Sequence, residues 1–568
     1  MPSNPGSESE RRYGPWLGWD SIIAAGVSLL AALAALSPFF HLGTASGHDI
    51  TFHMASWLDA AGQWKQGVLL PRWAQWPNYG FGEPRFIFYP PLSWLFGAWL
   101  GTFLPWNSVV PVFIVSVQTF AGWSAFALVR RLSDSYFAQL VSAACFAANP
   151  YALVIIYARS DFAELLAMAF FPLLFLTMLK LLRGVADRPG GRSADIVAFG
   201  LVFCTIWLSN APAAVISTYT VTFVFLTQSG LSRSPRPLIL GAAAMLLGFG
   251  LAGFYLVPAI YEQRWVNISG ALATGLSPGE NFLYAHTLDP EHDAFNHVAS
   301  NVAASLIVWA FVAAYIAWRR KSLRARQGAW GFSRPILPWL SLAIGLLMLP
   351  VTSLLWRLLP ELRFVQFPWR WMSILVVCAI CLMTASLEGK WRWVWPVALA
   401  VLTSGSGLYL VKHTWWDTED MPSLQAALLD QSGFEGTDEY DPAGDDHTDL
   451  PQKQPRARFL GAPQAQASSE REIFVDEWTA ERRRLRIVTA GPSRIALRLL
   501  DYPAWRIRVN GHQVAAQHVA GTRQMVVPVS PGESRIELQF TRTRDRTLGG
   551  WLSVLSLTVS LALLMRRK

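Results

Sequence analysis

From residue 20 to residue 411 the chain alternates long apolar runs with short polar breaks. Runs of spanning length lie near 20–40, 109–129, 137–157, 161–182, 194–209, 211–227, 237–260, 299–318, 336–356, 371–387, 393–411 and 549–565. A bilayer core needs about 20 helical residues to cross, so the pattern predicts about twelve membrane spans. The run at 88–104 is also apolar, but it opens on Pro90-Pro91 and is followed by Pro105. From Arg471 the period changes to two: LRIVTA, SRIALRLL, WRIRVNGHQV, RQMVVPV and SRIELQF read as short strands. Asn510-Gly511 between two of them is a hairpin signal. The predicted fold class is a polytopic α-helical membrane protein with a small extracytoplasmic β domain near its C-terminus.

Charge placement decides how 88–104 is read. If it crosses, Arg130-Arg131 and the loops with Lys180, Arg183, Arg188, Arg192, Arg233 and Arg236 fall outside. If it lies in the interface, they fall inside, with Arg11-Arg12, Arg319-Arg320-Lys321, Lys390, Arg392 and Arg566-Arg567-Lys568. Cytoplasmic loops carry the excess of Lys and Arg, which selects the second arrangement. Both termini are then cytoplasmic, and 88–104 is a juxtamembrane helix. Residues 1–411 become the transmembrane domain, with an outer first loop at 42–108 and a second outer loop at 261–298. Residues 412–470 read as an acidic, Pro/Gly-rich, loosely ordered outer segment. The β domain follows at 471–548 and a last anchor at 549–568. No small-residue cleavage site follows the first run, so it reads as an anchor and not a signal peptide.

Composition agrees with this class. At 52% hydrophobic and 15% charged residues, with a mean hydropathy of +0.30, the chain is too apolar for a soluble protein of its size. The formal charge of +9 lies in short loops between apolar runs, so no nucleic-acid partner is inferred. Cys145, Cys204, Cys378 and Cys381 all sit inside apolar runs, as small hydrophobes and not as a disulfide framework.

Candidate chemistry starts in the first loop. Asp49 opens it, flanked by His48 and followed one helical turn later by His53. It is a candidate general base or a metal-linked carboxylate with His53; the plainer alternative is a polar residue marking a helix end. Trp57, Trp64, Trp73 and Trp76 run along the loop, and Gly80, Gly82, Pro84, Pro90 and Pro91 stiffen it, as in the roof of a lipid-facing site. A second acidic site is YARSDFAELLA, where Asp161 and Glu164 lie one turn apart after Arg159. Its plain alternative is helix N-capping by Asp161. Arg85 and Arg370 are candidate phosphate-binding forks, or snorkelling side chains at an interface. His292, Asp293 and His297 have a spacing compatible with a metal, as a weak signal.

Those residues carry a resemblance. HDITFH, LPRW, YGFGEPRFIFYPPLSW, YARSDFAELLA, LSNAPAAV, FYLVPAIYE and QFPWRW resemble the bacterial membrane family labelled 6-pyruvoyl-tetrahydropterin-synthase-related, within the GT-C glycosyltransferase-like superfamily. No segment looks like a pterin enzyme. The resemblance implies a bacterial inner-membrane glycosyltransferase. It would move a sugar from a polyprenyl-phosphate carrier to an extracytoplasmic acceptor in envelope glycan or glycolipid assembly. It casts Asp49 and Asp161 as catalytic, and His48, His53, Arg85, Tyr89, Arg159, Glu164 and Arg370 as substrate-binding. A divalent cation is left open, because the loop lacks the acid-x-acid pair of many GT-C enzymes. The alternative is a non-catalytic lipid-linked sugar carrier, a flippase or an envelope assembly scaffold.

Overall fold

The computed structural model describes residues 18–187, 192–319, 336–387, 393–444, 450–461 and 471–565. Several basic positions used above for orientation, Arg11-Arg12, Arg188, Arg320-Lys321, Lys390, Arg392 and Arg566-Arg567-Lys568, lie outside the described residues. Among those described, six helices are long and apolar enough to cross a membrane: Trp106–Val129, Tyr136–Arg159, Phe162–Arg183, Ala211–Ser232, Pro290–Arg319 and Arg544–Met565. The number rises to eight if each of two bent pairs counts as one span. Three shorter apolar helices, Trp19–Ala35, Ser193–Ser209 and Pro368–Thr384, fall outside that count. Arg236–Leu251 and Gly253–Trp265 meet at 77°, and Ile336–Leu347 and Pro350–Leu358 meet at 90°. In the second pair Pro350, lacking an N–H, cannot continue the helix. The run at 20–40 supplies a helix of only 17 residues, Trp19–Ala35.

The run at 88–104 supplies the helix Pro91–Gly101, with proline in its first turn. Eleven residues span about 16 Å at 1.5 Å each, about half a bilayer core. It packs on the helix Ile50–Lys65, and Gly97 leaves room for the Trp57 indole, which a Cβ there would strike.

Asp59 folds the first loop back on that helix. Its carboxylate accepts Gln63 Nε2 at 2.8 Å, the Gln75 amide at 2.7 Å and the Trp76 amide at 3.3 Å. The side chain is buried, and burial pushes its carboxyl from 3.8 up to about 6 against those hydrogen bonds and Arg85. The folded state therefore keeps the proton after the unfolded chain has lost it. The associated stability is full below about pH 4 and is lost as the pH rises through about 6, a swing of about 3 kcal/mol. Melting of the wild-type protein should fall between pH 4 and 7 more steeply than melting of Asp59→Asn; parallel curves would refute the assignment.

The acidic segment departs from the expectation of loose order. Among its described residues, Asp420–Leu429 is a helix, and Met421, Leu424, Tyr440 and Asp441 are buried. Ser46 Oγ donates to Asp420 at 2.6 Å, and Asn78 Nδ2 donates to Asp441 at 2.7 Å. Tyr440 stacks on Phe88 with 5.9 Å between centroids. A few apolar residues spaced among the acids are enough to seat the segment on the first loop, a detail that average composition hides.

The β domain is two antiparallel sheets around one core. Strands β1 (Ala457–Phe459), β4 (Ser493–Leu500), β8 (Gln524–Val529) and β7 (Gln517–His518) form one, in that order. Strands β2 (Arg471–Trp478), β3 (Arg482–Thr489), β9 (Gly532–Phe540), β5 (Trp505–Val509) and β6 (His512–Val514) form the other. The first strand thus lies before the expected boundary at 471. Asn510 and Gly511 both take positive φ, 50° and 82°, and join β5 to β6 in a two-residue hairpin. Leu485, Ile495, Leu497, Val527, Ile536 and Leu538 fill the space between the sheets. Glu262, at the end of the broken helix, ties this domain down. It receives Arg546 Nε at 2.6 Å and Nη2 at 2.8 Å from the last helix, and Tyr502 Oη at 2.6 Å from the β domain.

Candidate active site

Three segments remote in sequence meet at one end of the helical part. The first is the start of the first loop. His48 N donates to Ala158 O at 3.3 Å and Asp49 N to Arg159 O at 2.8 Å, hanging the loop from the turn between two spans. Gly47 makes that approach feasible, since a Cβ would come within 2.7 Å of Ser160 Oγ and 2.8 Å of Ala158 O. The second segment is the turn itself. Asn149 caps a helix by accepting Ala152 N at 2.9 Å, the last turn widens to a π-helix at Ile155–Arg159, and left-handed Ser160 ends it. Single π turns often re-aim side chains at functional sites; here one presents Arg159. The third segment is the tight turn Pro368–Trp371, which carries Arg370.

Together they make a chain of alternating charges. His48 Nδ1 lies 2.6 Å from Asp49 Oδ1, and Arg159 Nη2 donates to Asp49 Oδ2 at 2.7 Å. Arg159 is also 3.9 Å from Asp161. Arg370 donates through Nη2 to Asp161 at 3.1 Å and through Nε to Glu164 at 3.0 Å. Tyr151 Oη, a partner the sequence did not reveal, closes the chain on Glu164. The remaining Arg370 nitrogen donates to Val365 O and Gln366 Oε1. The Phe367 ring lies 4.5 Å from the Arg159 guanidinium and 4.9 Å from that of Arg370. Three carboxylates face two guanidiniums in this chain.

Exposure divides the residues. The side chains of Asp161, Glu164 and Arg370 are 3–4% exposed, whereas Asp49 is 23% and His48 72% exposed. Asp49 is thus the carboxylate a solute can reach. Burial raises its carboxyl, but Arg159 and His48 outweigh burial and hold it well below the usual range. The Asp161 carboxyl is lowered too: burial opposes this, and His53, Arg370 and Arg159 prevail. Asp161 also accepts Glu164 N at 2.9 Å through Oδ1. It caps the helix with one oxygen and pairs with Arg370 through the other, so the same side chain serves as a helix cap and as an ion-pair partner.

His53 and Tyr89 border the chain. His53 is buried, its Nε2 3.7 Å from Asp161 and without a hydrogen-bond partner. Tyr89 packs on Phe52 and His53, with centroids 4.7 and 5.9 Å apart. Arg85 is elsewhere. Its Nε donates to Glu83 at 2.6 Å, Nη1 to Ser56 at 3.1 Å and Nη2 to Thr437 at 3.1 Å, all buried or half-buried. The expectation that Arg85 meets a lipid phosphate is therefore corrected: protein partners already occupy its guanidinium. Among the described residues no group of three or more His, Cys, Asp or Glu side chains is placed to hold a metal ion. Asp293 instead accepts Thr287 Oγ1 at 2.9 Å and lies 3.5 Å from His286.

Two of the three segments, the turn with Arg159 and Asp161 and the turn with Arg370, lie in the region that sequence comparison detects; Asp49 precedes it. Residues 86–412, more than half of the chain and including Arg159, Asp161, Glu164 and Arg370, match the family described as "6-pyruvoyl-tetrahydropterin synthase related domain; membrane protein". The chain belongs to this family. As a PTPS-related membrane protein it has several apolar helices and a C-terminal pair of β sheets. No curated protein matches it. Among solved structures it is similar to the arabinofuranosyltransferase AftD from Mycobacteria, at 17% identity and a TM-score of 0.42, covering 68% of this chain and 27% of that one. It is also similar to the oligosaccharyltransferase AglB from Archaeoglobus fulgidus, solved with an inhibitory peptide and a dolichol-phosphate. There the identity is 13% and the TM-score 0.42, covering 74% of this chain and 57% of that one. The PTPS-related chain thus spans about a quarter of the first protein's length and just over half of the second's.

Proposed function

We propose that this PTPS-related protein is a GT-C-type membrane glycosyltransferase. It moves a sugar from a polyprenyl-phosphate carrier to an acceptor hydroxyl on the outer face of a bacterial inner membrane, in envelope glycan or glycolipid assembly. One observation carries the reading: Asp49 is a reachable, ionised carboxylate at the end of a buried, charge-alternating chain. Asp49, kept a weak base by Arg159 and His48, orients the acceptor hydroxyl and relays its proton, which ends on the released phosphate, as the oxygen bonds to the anomeric carbon. The bond to the carrier phosphate breaks, and its electron pair leaves with the phosphate. Phosphate is weakly basic, so this departure needs no general acid. Arg159, whose Nε has no partner, is the cation beside Asp49 and takes the place first assigned to Arg85. Asp161, Glu164 and Arg370 act through it, as positioning residues. The described residues form no cation cage, and a divalent ion enters no step of this scheme.

A carrier or scaffold is the second reading, favoured by the saturation of Arg85 and the burial of Arg370. The test is an assay of reconstituted protein with a panel of radiolabelled polyprenyl-phosphate sugars, with and without chelator. Transfer from at least one donor, insensitive to chelator, is expected. Absence of turnover from all of them would pass the lead to the carrier reading.

A further inference from the structure

Where the β domain meets the first loop, three arginines are brought together, and among the described residues no carboxylate lies within ion-pairing distance of them, Asp59 acting on Arg483 only from farther off. The junction is made by Ala480 N donating to Gln66 Oε1 at 2.9 Å and Leu500 N donating to Phe81 O at 3.2 Å. Arg456 and Arg498 face one another across β1 and β4, where Arg498 N donates to Arg456 O at 2.9 Å. Like charges directly opposite in an antiparallel pair are destabilising. Arg483 arrives from β3 in the other sheet; its guanidinium lies 4.6 Å from the Trp478 ring, and that of Arg456 lies 5.9 Å from the same ring. Arg483 is fully buried and Arg498 is 6% exposed.

Their polar atoms are under-used. Arg483 donates only from Nη1, to Ala480 O at 3.4 Å, and its Nε and Nη2 have no partner. Arg498 Nη1 donates to the carbonyls of Gln431 and Gln454, and Arg456 Nη2 donates to Gln431 Oε1, but Nε of each is unpartnered. Among the described residues none of the three forms an ion pair with a carboxylate. Contact with Trp478 and Trp505 offsets part of the cost of a buried cation, yet an unpaired buried charge costs several kcal/mol more than such contacts return. Burial first, and then Arg456 and Arg498, push the Arg483 guanidinium down to about 9.

We propose that this junction is an oxyanion site, in which Arg456, Arg483 and Arg498 bind a phosphate group. Four unpartnered nitrogens on three neighbouring arginines suit a tetrahedral, multiply charged anion with several acceptor oxygens. The site is separate from the Asp49 chain, so it stands or falls independently of the glycosyltransferase reading. A bound phosphate would cross-link β1, β3 and β4 beside the first loop and hold the β domain on it.

The full-length protein in detergent is titrated with inorganic phosphate at constant ionic strength, and in parallel with phosphatidic acid in mixed micelles, while melting temperature and tryptophan fluorescence are followed. A saturable rise with inorganic phosphate identifies a soluble phosphate. A rise with phosphatidic acid alone identifies a lipid headgroup. In Arg456→Gln, which removes the half-buried member and spares the core, the apparent affinity should fall about ten- to hundredfold; Arg483→Met, if it folds, should not respond at all. No saturable response in the wild type to either probe, or an unchanged response in Arg456→Gln, would overturn the proposal.

Discussion

Asp49→Asn should remove most sugar transfer, a loss of about 10²–10⁴-fold in turnover, while the protein stays folded. Asparagine keeps the volume of the side chain and can still accept from Arg159 through its carbonyl oxygen. It lacks the negative charge that takes the acceptor proton. Asp49 is also the carboxylate of the chain with appreciable exposure, so the substitution leaves the buried pairs of Arg370 intact. Turnover and melting temperature measured on one preparation separate the two effects. Near-normal transfer by a folded Asn variant would move the base elsewhere, with Asp161 first in line.

The largest effect on stability is expected at Arg370. It faces Asp161 and Glu164 at 3.1 and 3.0 Å, all three side chains almost without exposure. Arg370→Met would leave Glu164 without a cation and Asp161 with only the more distant Arg159, at a cost of about 3–5 kcal/mol. Adding Glu164→Gln to that variant should recover part of the loss, because it removes one of the stranded charges. Thermal unfolding of the detergent-solubilised variants reads both. Melting of Arg370→Met at the wild-type temperature would contradict the pairing, and further destabilisation by Glu164→Gln would contradict the charge argument. Arg370→Lys should fall between, since an ammonium cannot span Asp161, Glu164 and the Val365 carbonyl at once.

Much of the fold could be read from local pattern, since local pattern is where its causes lie. The hairpin at Asn510-Gly511 follows from two residues that tolerate positive φ. The short helix at Pro91 follows from a proline at its first turn and another, Pro105, just beyond it. The bends could not be read this way. Hydropathy runs do not record the 77° and 90° angles within two of them, and the acidic segment's average composition concealed the few residues that seat it.

The site shows the same division. By itself the sequence determined that two acidic motifs, HDITFH and YARSDFAELLA, flank apolar runs, and that unpaired carboxylates at such positions require a reason. Only the tertiary structure decided which were partners. Arg370 meets Asp161 across 209 residues, and Glu262 meets Arg546 across 284. It gave Arg85 to Glu83 and Thr437, removing a cation that the sequence offered to a phosphate. The physical reason is that pairing a charge depends on distance in space and on exclusion of water. The chain encodes both through packing of segments far apart in sequence, where no local pattern reports them.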